Sequence, residues 1–88
     1  MYRLIASKKF NKNLKKFLKK HPELGNLVSE KIKFLHQNPR NPKLETHKLS
    51  GTLKNRLGVS ISHEYRLVIS FSKNDIYLHT IGTHDDVY

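Results

Sequence analysis

From Phe10 onward the spacing of apolar residues changes once, and that change restricts the folds open to this chain. From Phe10 to Leu35 the apolar side chains recur every three or four residues; from Leu57 to Phe71 they recur every second residue. The first period is that of a helix with one buried stripe, the second that of a strand with one buried face. Asn38-Pro-Arg-Asn-Pro42 lies between the two regimes. Two prolines and two asparagines over five residues end a helix and favour turns, so this is the clearest break in the chain.

Within these regimes the elements can be placed. Tyr2-Arg-Leu-Ile-Ala6 alternates and carries branched residues, which predicts a short first strand. Ser7 follows as a plausible N-cap, and Phe10, Leu14, Phe17 and Leu18 form the stripe of a first helix. His21-Pro22 ends that helix, and Pro22 suits the first turn of a second, whose stripe is Leu24, Leu27, Val28, Ile32 and Leu35. Leu57, Val59 and Ile61, then Tyr65, Leu67, Ile69 and Phe71, predict two strands. Lys73-Asn-Asp75 reads as a hairpin turn before a last strand, Ile76 to Ile81. Connections this short favour an antiparallel meander. The expectation is an α+β fold, a single domain over residues 1–88 with order β-α-α-β-β-β. A mainly antiparallel four-stranded sheet would pack on a helical hairpin. The alternation turns the apolar set toward the helices and the other set, with Arg56, Ser60 and Arg66, outward.

Charge narrows the possible partners. The 88 residues carry a formal net charge of +10, with most lysines in the first half and most acids in the second. Such an excess points to a polyanion or a strongly acidic protein; a solvated lysine face is the plainer alternative. There is no cysteine, which excludes disulfides and thiolate metal sites. No stretch resembles an apolar signal core or a membrane span, so the expectation is a cytoplasmic protein without a membrane partner.

The second half holds the groups that acid–base chemistry on a phosphate needs. Cleavage of RNA without a metal requires a base for the 2′-hydroxyl, an acid for the leaving 5′-oxygen and cations for the charge that builds on phosphorus. Imidazole suits either proton role, and a guanidinium can grip a phosphate with two hydrogen bonds. His84 follows the last strand, although a surface histidine in a tail fits the same position. Arg66 lies within a strand, where the alternative is a surface ion pair with Glu64. Glu64 is a base or a turn residue. His47 and His63 fall in a loop and a turn, where solvated histidines are common, and Tyr88 could stack on a base or cap the edge of the core. His21, His36 and His79 look structural or solvated. The six histidines show no i, i+4 metalloprotease pair, so neither a metal site nor another cofactor is expected. Nucleophile elbows, Walker loops and dinucleotide fingerprints are also absent.

Four motifs in order, His47-x-Leu49-x-Gly51, Arg56, Glu64-Tyr-Arg-Leu-Val68 and Gly82-Thr-His84 with Tyr88, resemble the RelE/ParE superfamily of type II toxin–antitoxin toxins. The likeness is greatest to the YafQ and YoeB branches and covers the whole chain, with its specific part at residues 44–88. It implies a RelE-like fold and a ribosome-dependent endoribonuclease, an mRNA interferase acting in the 30S decoding site and held inactive by a cognate antitoxin. It also implies roles: His84 as general acid, Arg66 on the scissile phosphate, and His47 or Glu64 as base. Arg56, Lys54, His63 and Tyr88 would bind substrate. Ser60 stands where the YafQ-like branch has a further histidine. The alternatives are a ParE-type toxin that binds DNA gyrase, or a non-catalytic RNA- or ribosome-binding module.

Overall fold

The computed structural model describes residues 2–49 and 55–83; Lys54, His84 and Tyr88 lie outside the described residues. Strand β1 (Arg3–Ala6) leads into helix α1 (Lys8–Lys20). A single 3₁₀ turn (Pro22–Leu24) then joins α1 to α2 (Gly25–Gln37). A second 3₁₀ turn (Pro42–Leu44) precedes β2 (His47–Lys48), β3 (Leu57–Ser60), β4 (Tyr65–Ser72) and β5 (Asp75–Thr83).

Local chemistry accounts for the helix boundaries. The Ser7 side chain accepts a hydrogen bond from the Phe10 N–H at 3.0 Å, capping the start of α1. Proline at position 22 cannot donate a backbone hydrogen bond, and α1 stops two residues before it. The second helix begins at Gly25 rather than at Pro22, because the 3₁₀ turn takes up the proline first.

The sheet has the order β1-β5-β4-β3-β2 and is mixed. This corrects the expectation of four mainly antiparallel strands. The meander β3-β4-β5 is antiparallel as expected, but β1 lies parallel to β5, with Arg3 opposite Asp75 and Ala6 opposite Leu78. Two helices separate β1 from the meander, and a connection of that length permits parallel pairing. The fifth strand, His47–Lys48, pairs antiparallel with β3. Two residues are too few for a period-2 pattern, so the sequence carries no signal for it.

One face of the sheet meets the helices. Phe10 and Phe17 of α1 and Val28 and Leu35 of α2 form a single buried cluster with Val59, Ile61, Leu67, Ile69, Ile76, Leu78 and Ile81. The face assignment read from the alternation therefore holds for the meander. Phe71, the last of the inward set on β4, is exposed and meets Tyr2 edge to face at 5.9 Å between ring centroids.

Beyond Ala6, β1 no longer pairs with β5. There Asn13 of α1 takes over: its side-chain carbonyl accepts from the Ile81 N–H at 2.8 Å and the Thr80 hydroxyl at 2.9 Å. The helix thus satisfies a buried backbone donor where the sheet cannot. It also ties down β5 just before Gly82 and Thr83.

Candidate functional site

The opposite face of the sheet carries the candidate chemistry. Pairing aligns its residues in rows: His47 with Gly58 and Val68, and Ser60 with Arg66 and Gly82. Successive rows are roughly 7 Å apart along the strands, and neighbouring strands are about 4.8 Å apart. His47 and Arg66 thus stand on one face, two strands and one row apart, separated by Gly58 and Val68. Gly58 presents no side chain that would fill the space between them. Leu49 packs on Val68 as a small second apolar cluster, anchoring the segment that carries His47.

Arg66 is the best-defined member of the face. Its Nη1 donates to the carbonyls of Ser62 (2.7 Å), Tyr65 (3.2 Å) and His63 (3.3 Å), all in or beside the β3–β4 loop. Its Nε is buried without a hydrogen-bond partner. No carboxylate of a described residue lies within ion-pair distance of Arg66, so the ion pair with Glu64 is not formed. A guanidinium that holds only carbonyls keeps its full charge for an anion. Gly82 lies directly across from it on β5, two residues ahead of His84.

The other candidates are distributed around this arginine. Glu64 and His63 are exposed in the β3–β4 loop. His47 is exposed on β2, with Nδ1 3.3 Å from the Glu45 carbonyl. Ser60, expected to face outward, is buried and donates its hydroxyl to the Ser62 carbonyl at 3.2 Å, within the loop that Arg66 also holds. Arg56 is farther away. It bonds to His79, with Nη1 3.2 Å from Nδ1 and also in contact with Nε2, and it donates to the Ser70 hydroxyl at 3.5 Å. Ser70 is itself 2.7 Å from His79 Nε2. His79, for which the sequence suggests a structural or solvated role, is half-buried on this outer face and bonded to both residues. Its signal was hidden because β5 has a register shift opposite Val68 and Ile69. That irregularity breaks the alternation that would otherwise give its facing.

At the end of the sheet a groove of about 690 Å³ opens between α1 and the last residues of β5, bordered by Lys16, Lys20, His21, Tyr65, Gly82 and Thr83. Tyr65 and His21 are in hydrogen-bond contact at 3.2 Å and pack with Phe17. His21 is therefore a packing residue on the helix side, in keeping with its structural reading. Among the described residues no group of three or more His, Cys, Asp or Glu is arranged to hold a metal.

The family model for the bacterial toxin YafQ of type II toxin–antitoxin systems matches residues 2–88. The chain belongs to the YafQ family. Solved structures agree with this. A metal-bound toxin from Helicobacter pylori is 28% identical over all of both chains, with a TM-score of 0.78. YafQ in the E. coli DinJ–YafQ complex shares the fold at 18% identity and TM-score 0.82, over 100% of this chain and 99% of its own. YoeB in a YoeB–YefM toxin–antitoxin complex from Staphylococcus aureus does so at 21% and 0.74, over 96% and 98%. No curated protein matches the chain significantly. The RelE-like likeness read from the four motifs is thereby confirmed at the level of the YafQ family and its fold. No helix of the described residues is long and apolar enough to cross a membrane.

Proposed function

We propose that this YafQ-family toxin is an endoribonuclease that cleaves ribosome-bound mRNA by metal-independent attack of the 2′-hydroxyl. The observation that carries the reading is Arg66: a guanidinium with no carboxylate partner among the described residues, one strand away from the segment that leads to His84. In the proposed reaction Arg66 binds the scissile phosphate. His47 or Glu64 takes the proton from the 2′-hydroxyl, whose oxygen attacks phosphorus. The bond to the 5′-oxygen breaks as His84 protonates it, leaving a 2′,3′-cyclic phosphate and a 5′-hydroxyl. Arg56, Lys54, His63 and Tyr88 contribute to holding the RNA, and the lysines of α1 supply charge to its phosphates.

A protein of net charge +10 with this cationic face suits an acidic, cognate antitoxin segment that covers the site when the toxin is idle. The antitoxins seen with YafQ and YoeB support the same partner class here.

The test is induction of wild type, Arg66→Ala and His84→Ala in cells, with primer-extension mapping of mRNAs. Discrete internal cuts should follow wild-type induction, and each variant should lose about 10²–10⁴-fold in cleavage. A folded His84→Ala variant with undiminished cutting and growth inhibition would refute the reading.

A further inference from the structure

The outer face carries a second cationic centre at Arg56, which the family likeness counts among the substrate-binding residues without saying what part of the substrate it holds. Arg56, just before β3, donates to Ser70 of β4, and Ser70 lies four residues from Arg66 on that strand. That places the backbones of the two arginines about 13 Å apart along the face, or roughly two nucleotides of an extended strand. Between them the floor is Gly58, Val68 and Leu49, low and apolar, without a described acid to repel a phosphate.

Arg56 is also fixed in place. His79 and Ser70 meet its Nη1, and all three residues are half-buried. Burial first, then the charge of Arg56, lowers the pKa of His79 below the usual histidine range. A neutral imidazole offers a lone pair to the guanidinium, whereas an imidazolium would repel it. The contact uses one side of the fork and leaves the rest of the planar group for a second acceptor.

We propose that Arg56 binds an RNA backbone phosphate roughly two nucleotides from the one cleaved, and that His79, with Ser70, is its positioning residue. The proposal deepens the endoribonuclease reading and rests on it. The site is specific for a phosphodiester and indifferent to the base, since a guanidinium reads the backbone. Its consequence is a length requirement: RNAs that span both arginines bind more tightly than those that reach Arg66 alone.

The experiment uses the folded toxin and fluorescein-labelled 2′-O-methyl RNAs of two, four and eight nucleotides, which cannot be cleaved through the 2′-hydroxyl. Anisotropy titrations over a range of salt give the affinity and the number of phosphates engaged. For wild type, affinity should rise steeply between two and four nucleotides. Arg56→Gln should weaken binding of the tetranucleotide about tenfold, leave the dinucleotide nearly unchanged, and lower the salt slope by about 0.7. His79→Ala should follow Arg56→Gln in direction, and the double variant should be no weaker than Arg56→Gln alone, because His79 acts through the arginine. His79→Gln, which keeps an acceptor, should recover most of the affinity. Thermal melts establish that each variant is folded, and Arg56→Gln tests the site even if His79→Ala is not.

Unchanged tetranucleotide affinity in Arg56→Gln would overturn the site, and additive losses in the double variant would overturn the role of His79. In both cases wild-type cleavage in cells would leave the endoribonuclease reading intact. A wild-type protein that neither binds these RNAs nor cuts mRNA would remove both.

Discussion

Replacing Asn13 by alanine should destabilise the fold and loosen the end of β5 that leads to the site. In the folded protein the Asn13 carbonyl accepts from the N–H of Ile81, a residue only 3% exposed, and from the Thr80 hydroxyl. An orphaned buried N–H costs about 1–3 kcal/mol. The Thr80 hydroxyl is half-buried and can rotate toward water, so it adds little. Against this, alanine in the middle of α1 regains about 0.5–0.7 kcal/mol of helix propensity. The net loss is therefore about 1.5 kcal/mol. At roughly 4–8 °C per kcal/mol for a domain of this size, Tm should fall by about 6–12 °C. Asn13→Asp keeps the acceptor and gains nearby lysines, so it should cost much less. Thermal and urea unfolding monitored by circular dichroism measure both. An Asn13→Ala protein as stable as wild type, or more so, would show that only the helix gain operates and that the clamp on Ile81 contributes nothing.

Other outcomes follow from burial and charge. Leu67→Ala empties a fully buried position among Val59, Ile69 and Ile81 and should cost about 2–5 kcal/mol in urea unfolding; a loss below about 1 kcal/mol would contradict the central place given to β4. For His79 the folded-state pKa is lowered, so the unfolded chain takes up a proton first as pH falls. Its contribution is complete above the ordinary histidine value of about 6.5 and is lost as pH drops from there toward the folded value. His79→Gln should therefore flatten the fall in urea midpoint between about pH 7 and 5; an unchanged slope would contradict the burial of a neutral imidazole. His21→Ala should lower Tm through loss of its contacts with Phe17 and Tyr65, while cleavage by the folded fraction persists.

How far the sequence could be read depended on how long each pattern ran. Phe10, Leu14, Phe17 and Leu18 repeat often enough to define a helix and its buried side. Leu57 to Phe71 alternates long enough to define two strands and their inner faces. A two-residue strand at His47 has no period at all, and β1 gives no sign of whether its partner runs parallel or antiparallel. Outward facing is not the same as solvent exposure: Val68 lies buried under Leu49, and Ser60 turns its hydroxyl into the loop. Within the candidate site, the outward facing of Arg66 was legible from the alternation of β4, whereas that of His47 was not. At His79 the irregular register of β5 hides which face the side chain takes. The contact with Arg56 is moreover 23 residues away in sequence, and no local pattern encodes it.

The central claim, attack by the 2′-hydroxyl with Arg66 on the phosphate, is tested most directly on programmed ribosomes. The message would carry one 2′-deoxynucleotide at the mapped cut site, in the presence of EDTA at a concentration that leaves the ribosome intact. The all-ribose message should be cut to a 2′,3′-cyclic or 3′-phosphate end and a 5′-hydroxyl, and the deoxy message should survive. Cleavage of the deoxy message at the same position and rate would contradict the account.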